Sequence, residues 1–151
     1  MAKTYHVTTG IRVWNALARR IIGLGLGARR WRLLTVRGRK TGRAYTTPVS
    51  LVTFEGRDWL VSPYGRRGWA ANALALGEVV LRRGRAERTY RVRELPPEEA
   101  APILRAYYAQ EPITHPYFDV TAASSEAEFA LEAERHPVFS LEEIGRAAPG
   151  R

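Results

Sequence analysis

The sequence predicts an α+β domain whose sheet is mainly antiparallel and able to close into a barrel. Two observations carry this. Runs of β-forming residues recur from residue 31 to 94, separated by short turns rich in glycine and arginine. Helical patterns are few, and all but one lie outside that region. The 151 residues, 45% of them hydrophobic, suit one folded domain with its own core, spanning 1–151.

Residues 11–22 read as a helix: Ile11, Trp14, Leu17, Ala18, Ile21 and Ile22 share one face, with Arg12, Arg19 and Arg20 opposite. Such a face packs on a core or, being flanked by cations, lies on an anionic membrane, so peripheral membrane contact through residues 11–30 stays open. Gly23-Leu24-Gly25-Leu26-Gly27 ends the helix. This glycine ladder is no dinucleotide fingerprint, because it follows a helix where that fingerprint follows a strand.

Strands are expected at 31–37, 45–54 and 58–62, with a tight turn at Glu55-Gly56-Arg57. Pro48 falls inside the second, which marks an edge, a bulge or a place where a ligand reaches the backbone. A loop, Ser62-Pro63-Tyr64-Gly65-Arg66-Arg67-Gly68, leads into a helix from Trp69 to Leu76 ended by Gly77. Strands resume at 78–82 and 87–94, where Tyr90 and Val92 alternate with Arg91 and Arg93. Pro96-Pro97-Glu98-Glu99 opens a helix reaching about Tyr108, since proline and acids suit a helix N-terminus. A loop over 110–121, an acidic helix near 125–135 and a last strand over 138–144 complete the chain.

With no cysteine there is no disulfide framework, thiol nucleophile or thiolate metal site. His6, His115 and His136 are scattered, so no metal centre is expected. No secretory signal and no apolar run of spanning length is visible, and the expectation is a cytoplasmic protein. The net charge of +9 is unevenly placed: residues 1–93 hold 20 basic and 4 acidic residues, residues 94–151 hold 4 and 11. A basic front attracts a polyanion, whether nucleic acid, an anionic membrane or an anionic cofactor. No nucleic-acid recognition motif accompanies it, and the arginines are spread over several turns with no single basic helix.

The turn Gly38-Arg39-Lys40-Thr41-Gly42-Arg43 concentrates this charge, with three cations, a hydroxyl and two glycines in six residues. Lys40 is the only lysine besides Lys3 in a chain that otherwise uses arginine. Uncovered backbone N–H groups beside cations hold phosphates and carboxylates, although a solvated hairpin turn has the same composition. The 62–68 loop repeats the pattern ahead of a helix N-terminus, where first-turn N–H groups point outward.

Gly38-Arg39-Lys40-Thr41-Gly42 with Thr47-Pro48 resembles the G-R-K-[ST]-G…T-P signature of the deazaflavin-dependent nitroreductase family. Trp69-x-x-Asn72 after the glycine loop and His136-Pro137-Val138-Phe139 are similar to its further motifs, so the resemblance spans roughly 15–144. It implies a split β-barrel, as in flavin reductases, binding coenzyme F420 and acting as an oxidoreductase. Arg39 and Lys40 would anchor the phosphate and oligoglutamate tail, Thr41 and Gly42 would shape the turn, and Arg43 would stand in for the arginine the family usually has after it. Thr47 and Pro48 would line the ring, with Tyr64, Gly65 and Arg66 at the ring or phosphate. The implied acceptor is a small hydrophobic quinone, nitro or enone compound, its side walled by tyrosines among Tyr107, Tyr108 and Tyr117. Tyr45 and Tyr64 stand where the family usually has cations, which leaves FMN, or a non-catalytic carrier of the same fold, as alternatives. A homodimer is compatible with this reading.

Overall fold

The computed structural model describes residues 2–4, 6 and 8–146, apart from the side chain of Arg146. Residue 1 and residues 147–151, the ends of the expected domain, lie outside the described residues, as do Tyr5 and Val7. Helix α1 is Thr9–Gly23, followed by strands β1 (Trp31–Arg37), β2 (Ala44–Phe54) and β3 (Arg57–Val61). Then come α2 (Trp69–Leu76), β4 (Glu78–Arg83), β5 (Ala86–Glu94) and α3 (Pro97–Gln110). A 3-10 turn at Pro112–Tyr117, α4 (Glu126–Glu132) and β6 (Val138–Arg146) complete the fold. The strands form a closed, wholly antiparallel barrel in the order β1-β2-β3-β6-β5-β4.

Strand alternation sorts side chains into two cores. Leu34, Leu51, Leu60 and Phe139 point into the barrel, with Val79, Leu81 and Val92. Their neighbours Val52, Val61 and Val138 point outward, beneath α3 and α4, where Leu104, Tyr107, Phe118 and Phe129 meet them. Leu33, beside Leu34, turns out against Ala18 and Ile22 of α1. Where both faces are buried, as at Leu33-Leu34, Leu51-Val52, Leu60-Val61 and Val138-Phe139, adjacent residues are apolar, while β5 keeps the alternation of Tyr90 and Val92 with exposed Arg91 and Arg93. Each fully buried Leu or Phe contributes about 1.5–3 kcal/mol. Helix α2 closes one end of the barrel with two small buried residues, Ala70 and Ala73.

Three departures from the sequence reading have local causes. The 110–121 loop contains the 3-10 turn, in which Thr114 donates from both N–H and Oγ to the Glu111 carbonyl. Helix α4 starts where expected, at a capping box of Ser125 and Glu128, but ends at Glu132 because residues 133–135 turn toward β6. The apolar face of α1 packs only in part: Ala18 and Ile22 are buried, while Val13, Trp14 and Leu17 are exposed. No helix of the described residues is long and apolar enough to cross a membrane.

Pro48 sits opposite Leu33 of β1. Strand β2 pairs with β3 only over residues 51–54, so its 44–50 half has a partner on one side alone. A proline with no N–H costs nothing on that free edge. This one-sided stretch is the split in an otherwise closed barrel, and the 38–43 turn leads directly into it.

Candidate active site

The β1–β2 connection is folded by its own hydrogen bonds. Gly38 N–H donates to the Arg43 carbonyl at 2.7 Å, and Gly42 N–H to the Gly38 carbonyl at 2.9 Å. Gly42 adopts φ 72°, a left-handed conformation that favours glycine. At Gly38 the constraint is space, since a Cβ there would lie 2.7 Å from Thr41 Oγ1 and 2.8 Å from the Tyr45 ring. Thr41 Oγ1 accepts from Arg43 N–H at 3.2 Å and meets the Tyr45 hydroxyl at 3.3 Å, so Tyr45 braces the turn.

Arg39 ties this turn to α2. Its backbone N–H and its Nη1 both donate to Asn72 Oδ1, at 3.0 and 2.8 Å. Both partners are donors, which fixes the carbonyl end of the nearly buried Asn72 amide toward Arg39. Lys40 is exposed, and its ammonium has no acceptor among the described residues. The same holds for the backbone N–H groups of Lys40 and Thr41 and for those of Trp69, Ala70 and Ala71 at the start of α2, whose N-cap Gly68 offers no side chain. A cavity of about 350 Å³ lies between the two elements, lined by residues 38–41, Tyr45, Gly68, Trp69 and Asn72. Its wall therefore carries one uncommitted cation and several unspent donors.

The 62–68 loop separates this cavity from a second. Ser62 anchors it, donating from N–H to the Pro137 carbonyl at 3.0 Å and from Oγ to the Gly65 carbonyl at 2.6 Å. Arg66, expected at the ring or phosphate, lines the second cavity and is also paired within the protein. Its guanidinium forks onto both oxygens of Glu94 and donates to the Glu134 carbonyl, and the Glu94 hydrogen bond raises its pKa. That charge is spent on pinning the loop to β5 and to the chain ahead of β6.

The second cavity, about 400 Å³, is lined by residues 63–67, Tyr117, residues 134–136 and the segment 2–4. Tyr64 and Tyr117 meet edge to face in its lining, with centroids 5.1 Å apart at 80°. Lys3 N–H donates to the Pro116 carbonyl at 2.8 Å, laying the N-terminal segment on the 3-10 turn. Behind Tyr117, His136 is buried and stacked on Phe118, centroids 4.0 Å apart. Its Nε2–H donates to the Tyr117 carbonyl at 2.9 Å, while the buried Nδ1 makes no hydrogen bond of good geometry among the described residues. Burial lowers the His136 pKa, opposed by the nearby Glu132 carboxylate. The buried Glu132 accepts from Asp119 N–H at 2.7 Å and pairs with Arg135, closing the cavity's back wall.

The structure separates the three candidate tyrosines. Tyr117 lines the second cavity. Tyr107 and Tyr108 are buried under α3, as helical tyrosines commonly are. Burial pushes the Tyr107 phenol well above its usual range, and Tyr108 stacks flat on His115 at 3.6 Å. Thr47 and Pro48 lie half-buried on the free edge of β2, while Arg43 is exposed beside the turn. Asn72, Trp69 and Glu94 were not assigned to the site from sequence. Asn72 and Trp69 were visible only as part of the Trp69-x-x-Asn72 resemblance, and Glu94 gave no signal, being one acid at the end of a strand.

Comparison with known proteins decides the family. The sequence matches the model of the F420H(2)-dependent quinone reductase family over residues 11–143. The chain belongs to this family. It is an oxidoreductase, and coenzyme F420 is its cofactor. Among solved structures, the chain is similar to an F420-H2 dependent reductase, FDR-A, at 26% identity and a TM-score of 0.52, covering 76% of this chain and 95% of that one. A protein described as a domain-swapped dimer aligns at 20% identity and a TM-score of 0.54, over 89% of this chain and 100% of that one. The Vibrio cholerae heme storage protein HutZ shares the fold at 10% identity and a TM-score of 0.53, over 77% and 82%. No curated protein matches the sequence.

The residues present fit this cofactor. An anionic tail needs cations and N–H donors not already satisfied by the protein, and the first cavity supplies Lys40, the turn N–H groups and the first turn of α2. Arg39 commits one hydrogen-bonding direction to Asn72 and retains further N–H donors. Tyr45 and Trp69 add aromatic surface to the same wall.

Proposed function

We propose that this oxidoreductase reduces a quinone-type acceptor held against the wall of Tyr64 and Tyr117, with the tail of F420 held at the Lys40 turn. The observation that carries this reading is the division of labour across the 62–68 loop: unspent anion donors on one side, an aromatic cavity with basic residues on the other. Reduced F420, when bound, supplies a hydride.

The chain's own part is orientation and electrostatics. Lys40, Arg39 and the α2 N-terminus fix the anionic end, while the free edge of β2 at Thr47 and Pro48 offers a flat, half-buried surface to the ring. Tyr64, Gly65 and the loop they sit on divide tail from acceptor. The edge-to-face tyrosine pair favours a planar acceptor, and Lys3 and Arg67 on the same lining place positive charge near an oxygen that gains electrons. Tyr107 and Tyr108 support the wall from the core.

The test is steady-state oxidation of reduced F420 with menadione, a nitroimidazole and a cyclic enone in parallel, on wild type and Tyr117→Ala. The quinone should be the best substrate, and Tyr117→Ala should raise its KM by about tenfold while F420 affinity holds. A preference for the nitro or enone compound, or an unaltered quinone KM in the variant, would overturn the acceptor assignment.

A further inference from the structure

The sheet sets His136 between the two segments that carry Tyr64 and Tyr117. Strands β3 and β6 pair through Val61 and Val138, and the ladder runs one step further, Ser62 N–H donating to the Pro137 carbonyl at 3.0 Å. That step brings His136 beside Pro63, the residue before Tyr64, whose carbonyl lies close enough to the ring to favour its protonated form. From the other segment the Tyr117 carbonyl accepts the Nε2–H at 2.9 Å. One imidazole, 3% exposed, thus reaches the backbone of both segments whose tyrosine rings meet 5.1 Å apart in the second cavity.

The surroundings fix the ring. Phe118 stacks on its face at 4.0 Å and 22°, and His136 N–H donates to the Glu132 carbonyl at 2.8 Å. The Glu132 carboxylate lies 3.9 Å from Nε2 but is committed to Asp119 N–H and to Arg135, so it does not draw Nε2 away from Tyr117. Apolar packing alone would not need a histidine here, since a phenylalanine ring stacks on Phe118 equally well. What the imidazole adds is a directional N–H aimed at one carbonyl.

We propose that His136 is a positioning residue for the acceptor: through its bond to the Tyr117 carbonyl it holds the Tyr117 ring edge to face with Tyr64, and so sets the slot that takes a planar quinone. This rests on the quinone lying against Tyr64 and Tyr117, as proposed above. Small displacements of a positioning wall are costly, because the acceptor must meet the hydride donor in one orientation. The effect belongs to the acceptor side, since the Lys40 turn and α2 line the other cavity, across the 62–68 loop.

The experiment compares His136→Gln with His136→Asn. A glutamine amide nitrogen reaches the place of Nε2, an asparagine one only that of Nδ1, and both lose the aromatic stack, so their difference isolates the bond to Tyr117. Menadione KM and kcat, F420 affinity and melting temperature are measured for both, with Tyr117→Ala alongside. His136→Asn should raise the menadione KM about tenfold and His136→Gln less than about threefold, with kcat and F420 affinity held in both. The imidazole nitrogen resonances of the wild type give a reading that needs no substitution: the proton of the neutral His136 ring should sit on Nε2. Equal KM in all three proteins, a glutamine no better than asparagine, a proton on Nδ1, or kcat and F420 affinity falling together with KM would each overturn the positioning role. If Tyr117→Ala raises KM and the His136 variants do not, the positioning role fails and the quinone stays against Tyr117; an unaltered KM in Tyr117→Ala removes both.

Discussion

Arg39 and Lys40 are neighbours in sequence and spend their charges differently. Arg39 faces Asn72 and joins two elements of the protein, while Lys40 stands free at the mouth of the first cavity. Lys40→Ala therefore removes a ligand contact and little else. We expect F420 binding, followed by fluorescence quenching, to weaken by about 1.5–3 kcal/mol, with an unaltered melting temperature because an exposed turn cation adds little to folding. Unchanged affinity would remove Lys40 from the site. At this scale the sequence marks Lys40 as a candidate, one of only two lysines in an arginine-rich chain and set within a glycine turn. It could not show that Arg66 is neutralised by Glu94, because those residues are 28 positions apart and only the β5 geometry brings them together.

The turn 38–43 and helix α2 are built separately and made one unit by Asn72. With Asn72→Ala, the Arg39 N–H and guanidinium lose a nearly buried acceptor, which should cost about 1–3 kcal/mol of stability and loosen the tail site. Asn72→Asp gives the informative contrast. Its carboxylate still accepts from Arg39, so the melting temperature should hold, but its negative charge beside Lys40 should weaken F420 binding. Thermal melts and titrations of both variants check this; equal F420 affinity across wild type and both variants would show that the turn does not depend on α2. Strand and helix positions up to β5 were largely legible, since every connection between those elements carries a glycine. The end of α4 and the 3-10 turn were not, because tertiary contacts of Glu132 and local carbonyl geometry set them.

The fold brings the acidic half of the chain back onto the basic half. β6 lies beside β5, where Arg88 pairs with Glu143 at 2.8 Å and Arg91 with Glu142 at 3.5 Å. What this pairing leaves uncompensated is concentrated in the acid-free first 54 residues, which supply α1, the free edge of β2 and the Lys40 turn. Antiparallel strands and a barrel could be read from the spacing of β-formers. The split could be read only faintly, from Pro48, because closure depends on how far β2 and β3 pair. The two-cavity arrangement was not legible, since it arises from residues 3, 64, 117 and 136 meeting across the chain.

The most direct measurement is a binding titration of oxidised F420 against its tail-less deazaflavin chromophore and against FMN, at low and high salt. The unspent donors at the Lys40 turn predict that F420 binds at least about tenfold tighter than the tail-less ring and that salt erodes this advantage. Equal affinity for ring and full cofactor, or tighter binding of FMN, would contradict the placing of the anionic tail at that turn.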